Sequence, residues 1–202
     1  YTSDYSDLHN CFLIMECVVE NFEIKRNVYS SIEAVVSSET VITTNTSAIP
    51  VTVLQDTLVN PERFLGMHWA EPAFTTPFLE IICGAKSDLS VAERLYVIAG
   101  TWGKEPTLVR KDIRGFITNR LMYAMFGEGF NLVENGYATV EDVDRACKND
   151  AGHWMTFGGM FRYMDLTGLQ AYYHVMKDLF PTLSNQTKTP KLIETIANEG
   201  GN

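Results

Sequence analysis

An alternation of strand and helix patterns that stops partway along the chain limits the fold more than any other feature. Residues 11 to 19, CFLIMECVV, form a short apolar run suited to a strand buried on both faces. ENFEIKRNVYSSIEAVV follows, with Ile24, Val28, Ile32 and Val35 at helical spacing. TVITT at 40 to 44 is the next strand, so the opening reads as a strand-helix-strand unit of a parallel sheet. RFLGMHW and PFLEIICG predict two further strands around the turn-prone AEPAFTT. A helix from Asp88 to Gly103 and a strand at PTLVR complete this part. Beyond Asp112 the pattern is helical: 116 to 134, closed by Asn135-Gly136, then TVEDVDRAC with Thr139 as N-cap, then DLTGLQAYYHVMKDLF and PKLIETIAN. The expectation is an α/β domain over 1–111 followed by an all-helical domain over 112–202.

Composition narrows the function classes. With 202 residues, 46% of them hydrophobic, the chain can bury a real core. A formal charge of -9 argues against a general grip on nucleic acid or an anionic membrane. No uncharged apolar run approaches the roughly 20 residues that span a bilayer, and no basic-then-apolar leader opens the chain, so a soluble protein is expected. Cys11, Cys17, Cys83 and Cys147 form no CxxC pair. That spacing suits neither zinc nor a disulfide framework; free thiols in a reducing cytoplasm or organelle are the expectation, the cytoplasm being preferred, with no metal site.

Open parallel sheets bind ligands beyond the carboxyl ends of their strands. Three polar groups fall there: Asn45-Thr46-Ser47, Glu20-Asn21 and His68. Each also has a plain structural account, Thr46 or Ser47 as the cap of a helix at 50 to 57 and Glu20 as an exposed turn residue. His68 and Glu80 make a pair. Their strands are joined by a short turn-containing segment, and an imidazole that shuttles protons works best with a carboxylate on its other nitrogen. A carboxylate inside FLEII needs such a partner in any case, so a buried structural pair is the alternative.

Taken in order and at these intervals, ECVVENFEIK, NTSAIP, GMHWAEP, PFLEII and RGFITNRL resemble landmarks of the 3-hydroxyacyl-coenzyme A dehydrogenases and their 3-hydroxybutyryl relatives, from about residue 7 to the end. The resemblance implies a partial Rossmann-type dinucleotide-binding domain, then a helical domain that dimerises and shapes the substrate site. It implies NAD as cofactor, NADP being left open, and a 3-hydroxyacyl-CoA oxidised to the 3-ketoacyl product, a step of fatty acid metabolism. It puts the catalytic histidine on His68 and its glutamate on Glu80. Ser47 and Asn119 fall on the residues that bind the reacting oxygens, and Glu20 and Lys25 on those lining the nicotinamide-ribose side of the cofactor.

The chain also departs from that family. Glu71 stands where the family often has asparagine, which makes a small hydroxy acid or hydroxylated amine without coenzyme A a rival substrate. Arg114 replaces a usual proline, and GHWMTFGGMFRYMDLTGL keeps Asp165, Gly168 and Leu169 but only part of the family segment. No glycine-rich GxGxxG turn is present, the chain opens at Tyr1 and it closes on NEGGN. A fragment lacking about 80 to 90 residues of the dinucleotide domain is the expectation, inactive by itself, poor at binding NAD and prone to associate through an open sheet edge. A non-catalytic relative that kept the fold is the reading from outside the enzymes; joint retention of His68, Glu80, Ser47 and Asn119 speaks against it.

Overall fold

The computed structural model describes residues 1–199. The chain forms two compact units, one from Tyr1 to Asn119 and one from Arg120 onward. In the first, β1 (Leu13–Glu16), β2 (Val41–Thr44), β3 (Phe64–Trp69), β4 (Phe78–Cys83) and β5 (Glu105–Val109) make one sheet in sequence order. β1, β2 and β3 run parallel, β4 turns back antiparallel to β3, and β5 is parallel to β4. The helices α1 (Phe22–Glu33), α2 (Val51–Gln55) and α3 (Leu89–Gly100) supply the crossovers.

Near-continuous apolar strands are what a sheet covered on both faces requires. Tyr29, Ile42, Val51, Leu54, Phe64 and Ile82 fill one face. Leu65, Met67, Leu79, Ile81, Ala92 and Leu95 fill the other. Neighbouring residues of β3 and β4 alternate between the two, as the period of two demands. Asp88 caps α3 by accepting from the Ser90 amide at 2.8 Å, which is why that helix starts where it does.

Two local expectations are corrected. The strand seen in the pattern over 11 to 19 pairs only at Leu13–Glu16. The Glu16 carboxylate accepts the Val18 amide at 2.6 Å and bends the chain away, leaving Val19 64% exposed. α1 buries Lys25 and Tyr29 beside the expected Ile32, with Val28 partly buried, while Ile24 faces outward. An ion pair beneath the helix decides that face, as described below.

The second unit is helical. α4 (Thr118–Glu134) begins just before the unit boundary and is followed two residues past its end by Gly136, whose φ of +74° suits glycine. α5 (Val140–Asn149) is capped by Thr139, which accepts the Asp142 amide at 3.2 Å, as the capping pattern predicts. α6 (Ala151–Met155), α7 (Met160–Thr167), α8 (Leu169–Leu179) and α9 (Lys191–Asn198) follow. The helix expected through DLTGLQAYYHVMKDLF is two helices, parted at Gly168 with φ +110° and ψ +104°. That conformation lies outside any helical region, so the hydrogen-bond ladder stops there. Glu128 accepts the Ser184 amide and Glu134 the Leu192 amide, tying the last segment to α4. Among the described residues no helix is long and apolar enough to cross a membrane.

Candidate active site

The antiparallel pairing of β3 and β4 puts His68 directly opposite Glu80. Cross-strand neighbours on one face are close enough for side chains to bond, and here His68 Nδ1 lies 2.9 Å from Glu80 Oε2. The carboxylate only accepts, so Nδ1 carries the proton and donates it. Nε2 is left with its lone pair outward, 3.1 Å from Ser47 Oγ, whose hydroxyl donates to it. The imidazole is thus oriented at both nitrogens.

Glu80 is fully buried, and its other oxygen is equally occupied. Oε1 accepts from the Ile117 and Thr118 amides, each at 3.0 Å, and from the Thr118 hydroxyl at 3.3 Å. Those amides begin α4, where unpaired N–H groups favour negative charge. Burial pushes the carboxyl upward, but the bonds from His68 and from the Thr118 and Ile117 amides outweigh it and hold Glu80 below the usual carboxylate range. The turn delivering these amides passes through Gly115 at φ +80° and Phe116 at φ +51°. A bulky residue in that region is strained, and the buried Phe116 ring packs 5.4 Å from the His68 ring. Phe78 meets the imidazole edge-on at 5.8 Å, so His68 has no room to swing away.

Ser47 is exposed on the loop after β2, whereas Thr46 is buried. Neither caps α2, whose N-cap is Pro50 with no side-chain bond. Thr46 instead donates to Glu20, and its Oγ1 accepts the Ile49 amide at 2.9 Å. Glu20 Oε1 also accepts the Ala48 and Ile49 amides, at 3.0 and 3.1 Å, so this side chain braces the loop that presents Ser47. Burial raises the Glu20 carboxyl, but these donors and Lys25 bring it below its ordinary value. Lys25 is wholly buried: its ammonium bonds both oxygens of Glu16, at 2.9 and 3.0 Å, and lies 3.5 Å from Glu20. Glu16 also takes the Tyr29 hydroxyl at 2.7 Å and the Thr44 hydroxyl at 2.8 Å. Sequence reasoning missed Glu16, Tyr29 and Thr44. The available signal was Glu16 itself, a carboxylate inside an apolar strand, which needs a cationic partner. Asn119 is half-buried in the first turn of α4, one residue beyond Thr118.

A groove of about 630 Å³ opens where β1, β2 and β3 end, with Met15, Cys17, Asn45, Ser47, Trp69 and Glu71 on its walls. Asn45 Oδ1 accepts the Trp69 amide at 3.1 Å and joins the β2 and β3 ends. Past Trp69 and Ala73 lies a second hollow holding Trp102 and Lys104. Lys104 Nζ donates to the carbonyls of Ala73 and of Thr76, the latter at 2.6 Å, fixing the β3–β4 loop. A groove at the ends of parallel strands, with an apolar wall and the exposed Ser47 hydroxyl, fits the nicotinamide end of a dinucleotide.

Residues 1–113 match the family model described as 3-hydroxyacyl-CoA dehydrogenase, NAD binding domain, and residues 115–202 match 3-hydroxyacyl-CoA dehydrogenase, C-terminal domain. The chain is 33% identical over 194 residues to 5-formyl-3-hydroxy-2-methylpyridine 4-carboxylate 5-dehydrogenase of Mesorhizobium japonicum, covering 96% of this chain and 63% of that one. It is 31% identical over 188 residues to L-carnitine dehydrogenase of Oceanobacillus iheyensis, covering 91% and 61%. The chain therefore spans about six tenths of the length of these curated relatives. The crystal structure of a 5-formyl-3-hydroxy-2-methylpyridine 4-carboxylic acid 5-dehydrogenase, described as an NAD+ dependent dismutase, superposes with a TM-score of 0.94 at 32% identity, covering 98% of this chain and 65% of that one.

Proposed function

Because the chain belongs to the 3-hydroxyacyl-CoA dehydrogenase family, we propose that the protein is an NAD-dependent oxidoreductase in which His68 takes the proton of a substrate hydroxyl. The observation that carries this reading is the unbroken line from Ser47 through His68 and Glu80 to the amides of α4. Nδ1 is committed to Glu80, so Nε2 is the basic atom, and the Ser47 hydroxyl marks where a substrate oxygen would sit. As the carbinol O–H bond gives its proton to Nε2, the C–H bond gives up its electron pair with the hydrogen and a carbonyl forms. NAD, when bound, supplies the acceptor for that hydride. Glu80, itself charged, stabilises the imidazolium. Ser47 and Asn119 hydrogen-bond the reacting oxygens. Glu20, a third exposed, meets the nicotinamide-ribose side, and the buried Lys25 acts by holding Glu20 in place.

The family's name points to a 3-hydroxyacyl-CoA as substrate. A second reading, a compact substrate without coenzyme A, is favoured by the superposition on the pyridine-carboxylate enzyme and by Glu71 in the groove wall. Association as a homodimer through the helical unit is part of this proposal, as is a reducing cytoplasm, which suits four free cysteines. The deciding experiment is His68→Gln, made in a protein that carries the whole dinucleotide-binding domain. Turnover with NAD should fall about 100-fold or more, with a melting point only a few degrees lower because the glutamine amide can still donate to Glu80. Turnover per folded molecule within threefold of wild type would return the pair to a structural role.

A further inference from the structure

The groove beside Ser47 has a charge that the oxidation itself does not need. Among the described residues that line it, Glu71 alone is charged, and it is exposed. Trp69 and Met15 supply apolar wall, and among the described residues no lysine or arginine lines it. Lys25, the cation beneath the end of β1, is sealed inside and spent on Glu16 and Glu20. A bound group therefore meets one carboxylate and one indole in the groove's own lining, while Lys104, which lines the neighbouring hollow, lies over the Trp69 ring, in a chain of net charge -9. That set attracts an organic cation: the carboxylate by charge, the indole by its electron-rich face. The Trp69 ring already receives one cation, with Lys104 Nζ 5.2 Å from its centroid.

Glu71 follows His68 by three positions, on the loop leaving β3, and shares the groove with Ser47. A cation at Glu71 would thus lie within one small molecule's length of an oxygen at Nε2. We infer that the substrate carries a cationic nitrogen, quaternary or protonated, a few bonds from the hydroxyl that is oxidised, and that Glu71 with Trp69 recognises it. The inference rests on the oxidoreductase reading of the site and names its substrate class.

Two isosteric alcohols test it: (2-hydroxypropyl)trimethylammonium and its uncharged carbon analogue 4,4-dimethylpentan-2-ol. Their binding is followed by saturation-transfer NMR in wild type and in Glu71→Gln. Wild type should bind the cation about tenfold or more tighter than the neutral isostere, and Glu71→Gln should remove most of that ratio. Glu71→Lys should invert it, and Trp69→Leu should lower it. Equal binding of the two alcohols, no binding of the cation at millimolar concentration, or a ratio unmoved by Glu71→Gln would overturn the inference. So would a Glu71→Gln variant that weakens NAD+ relative to NADH and leaves the alcohol ratio intact, since the carboxylate would then serve the cofactor's charged ring. NADH formation is read separately: a charge preference that persists while no hydride is transferred counts against the proposed reaction and leaves the recognition standing.

Discussion

Glu80 shows how one buried residue ties the chemistry to the fold. One oxygen holds the His68 tautomer and the other takes the first amides of α4, so its charge serves both. Its carboxyl is held below its unfolded value. The stabilisation is therefore complete above the ordinary carboxylate range, near pH 4.3, and is lost as pH falls through the lower folded value. Glu80→Gln should cost about 2 kcal/mol at pH 7, and the gap between the variant and wild type should close as the pH drops below about 4. Melting curves from pH 7 to pH 3 read this directly; a constant gap across that range would mean the charge contributes nothing. The same variant should lower turnover about tenfold or more, because the imidazolium loses its counter-charge.

At the scale of elements, the β3–β4 hairpin creates the site, and its central glycine shows why the spacing is tight. A β-carbon on Gly66 would lie 2.9 Å from Val51 Cγ2 and 3.0 Å from two side-chain atoms of Ile82. Val51 opens α2 and Ile82 is on β4, so β3 is wedged between the two. Gly66→Ala should destabilise by about 1 to 3 kcal/mol and lower turnover, since β3 must shift to make room and carries His68 with it. Chemical denaturation and steady-state rates measure both; unchanged stability would show that the packing yields. α1 teaches a related lesson. Its apolar spacing offered Ile24, Val28, Ile32 and Val35; Ile32 is buried, but Ile24 faces outward and the helix buries Lys25, because Glu16 lies under it and a buried carboxylate without its cation would cost several kcal/mol.

Over the whole molecule, the two units differ in how they are buried. Among the described residues every buried core side chain belongs to the first, whereas in the single chain Phe157, Phe161 and Leu166 of the second are 80%, 74% and 70% exposed. So much open apolar surface is what the proposed dimer would cover. Phe161→Glu should halve the mass seen by light scattering without loss of helix content by circular dichroism; an unchanged mass would move the interface elsewhere. Much of the first unit is legible in the sequence. Short apolar runs, helical stripes and turn residues are local signals, and they located its strands and helices and, in the second unit, the cap of α5. The pair of His68 and Glu80 was legible for the same reason, since a short hairpin leaves neighbouring strands few ways to pair. Gly168 was not, because a glycine inside a helical pattern is tolerated or breaks the helix according to its surroundings. Thr44, 28 residues from Glu16, and the Ile117 and Thr118 amides, 37 and 38 from Glu80, carry no mutual signal in the chain. The sequence by itself determined which segments are strands and helices and which histidine faces which glutamate. Only the tertiary structure decided how the buried charges are neutralised, because a carboxylate's partners are chosen by distance in space, and that distance exists only once the crossovers have brought separate strands side by side.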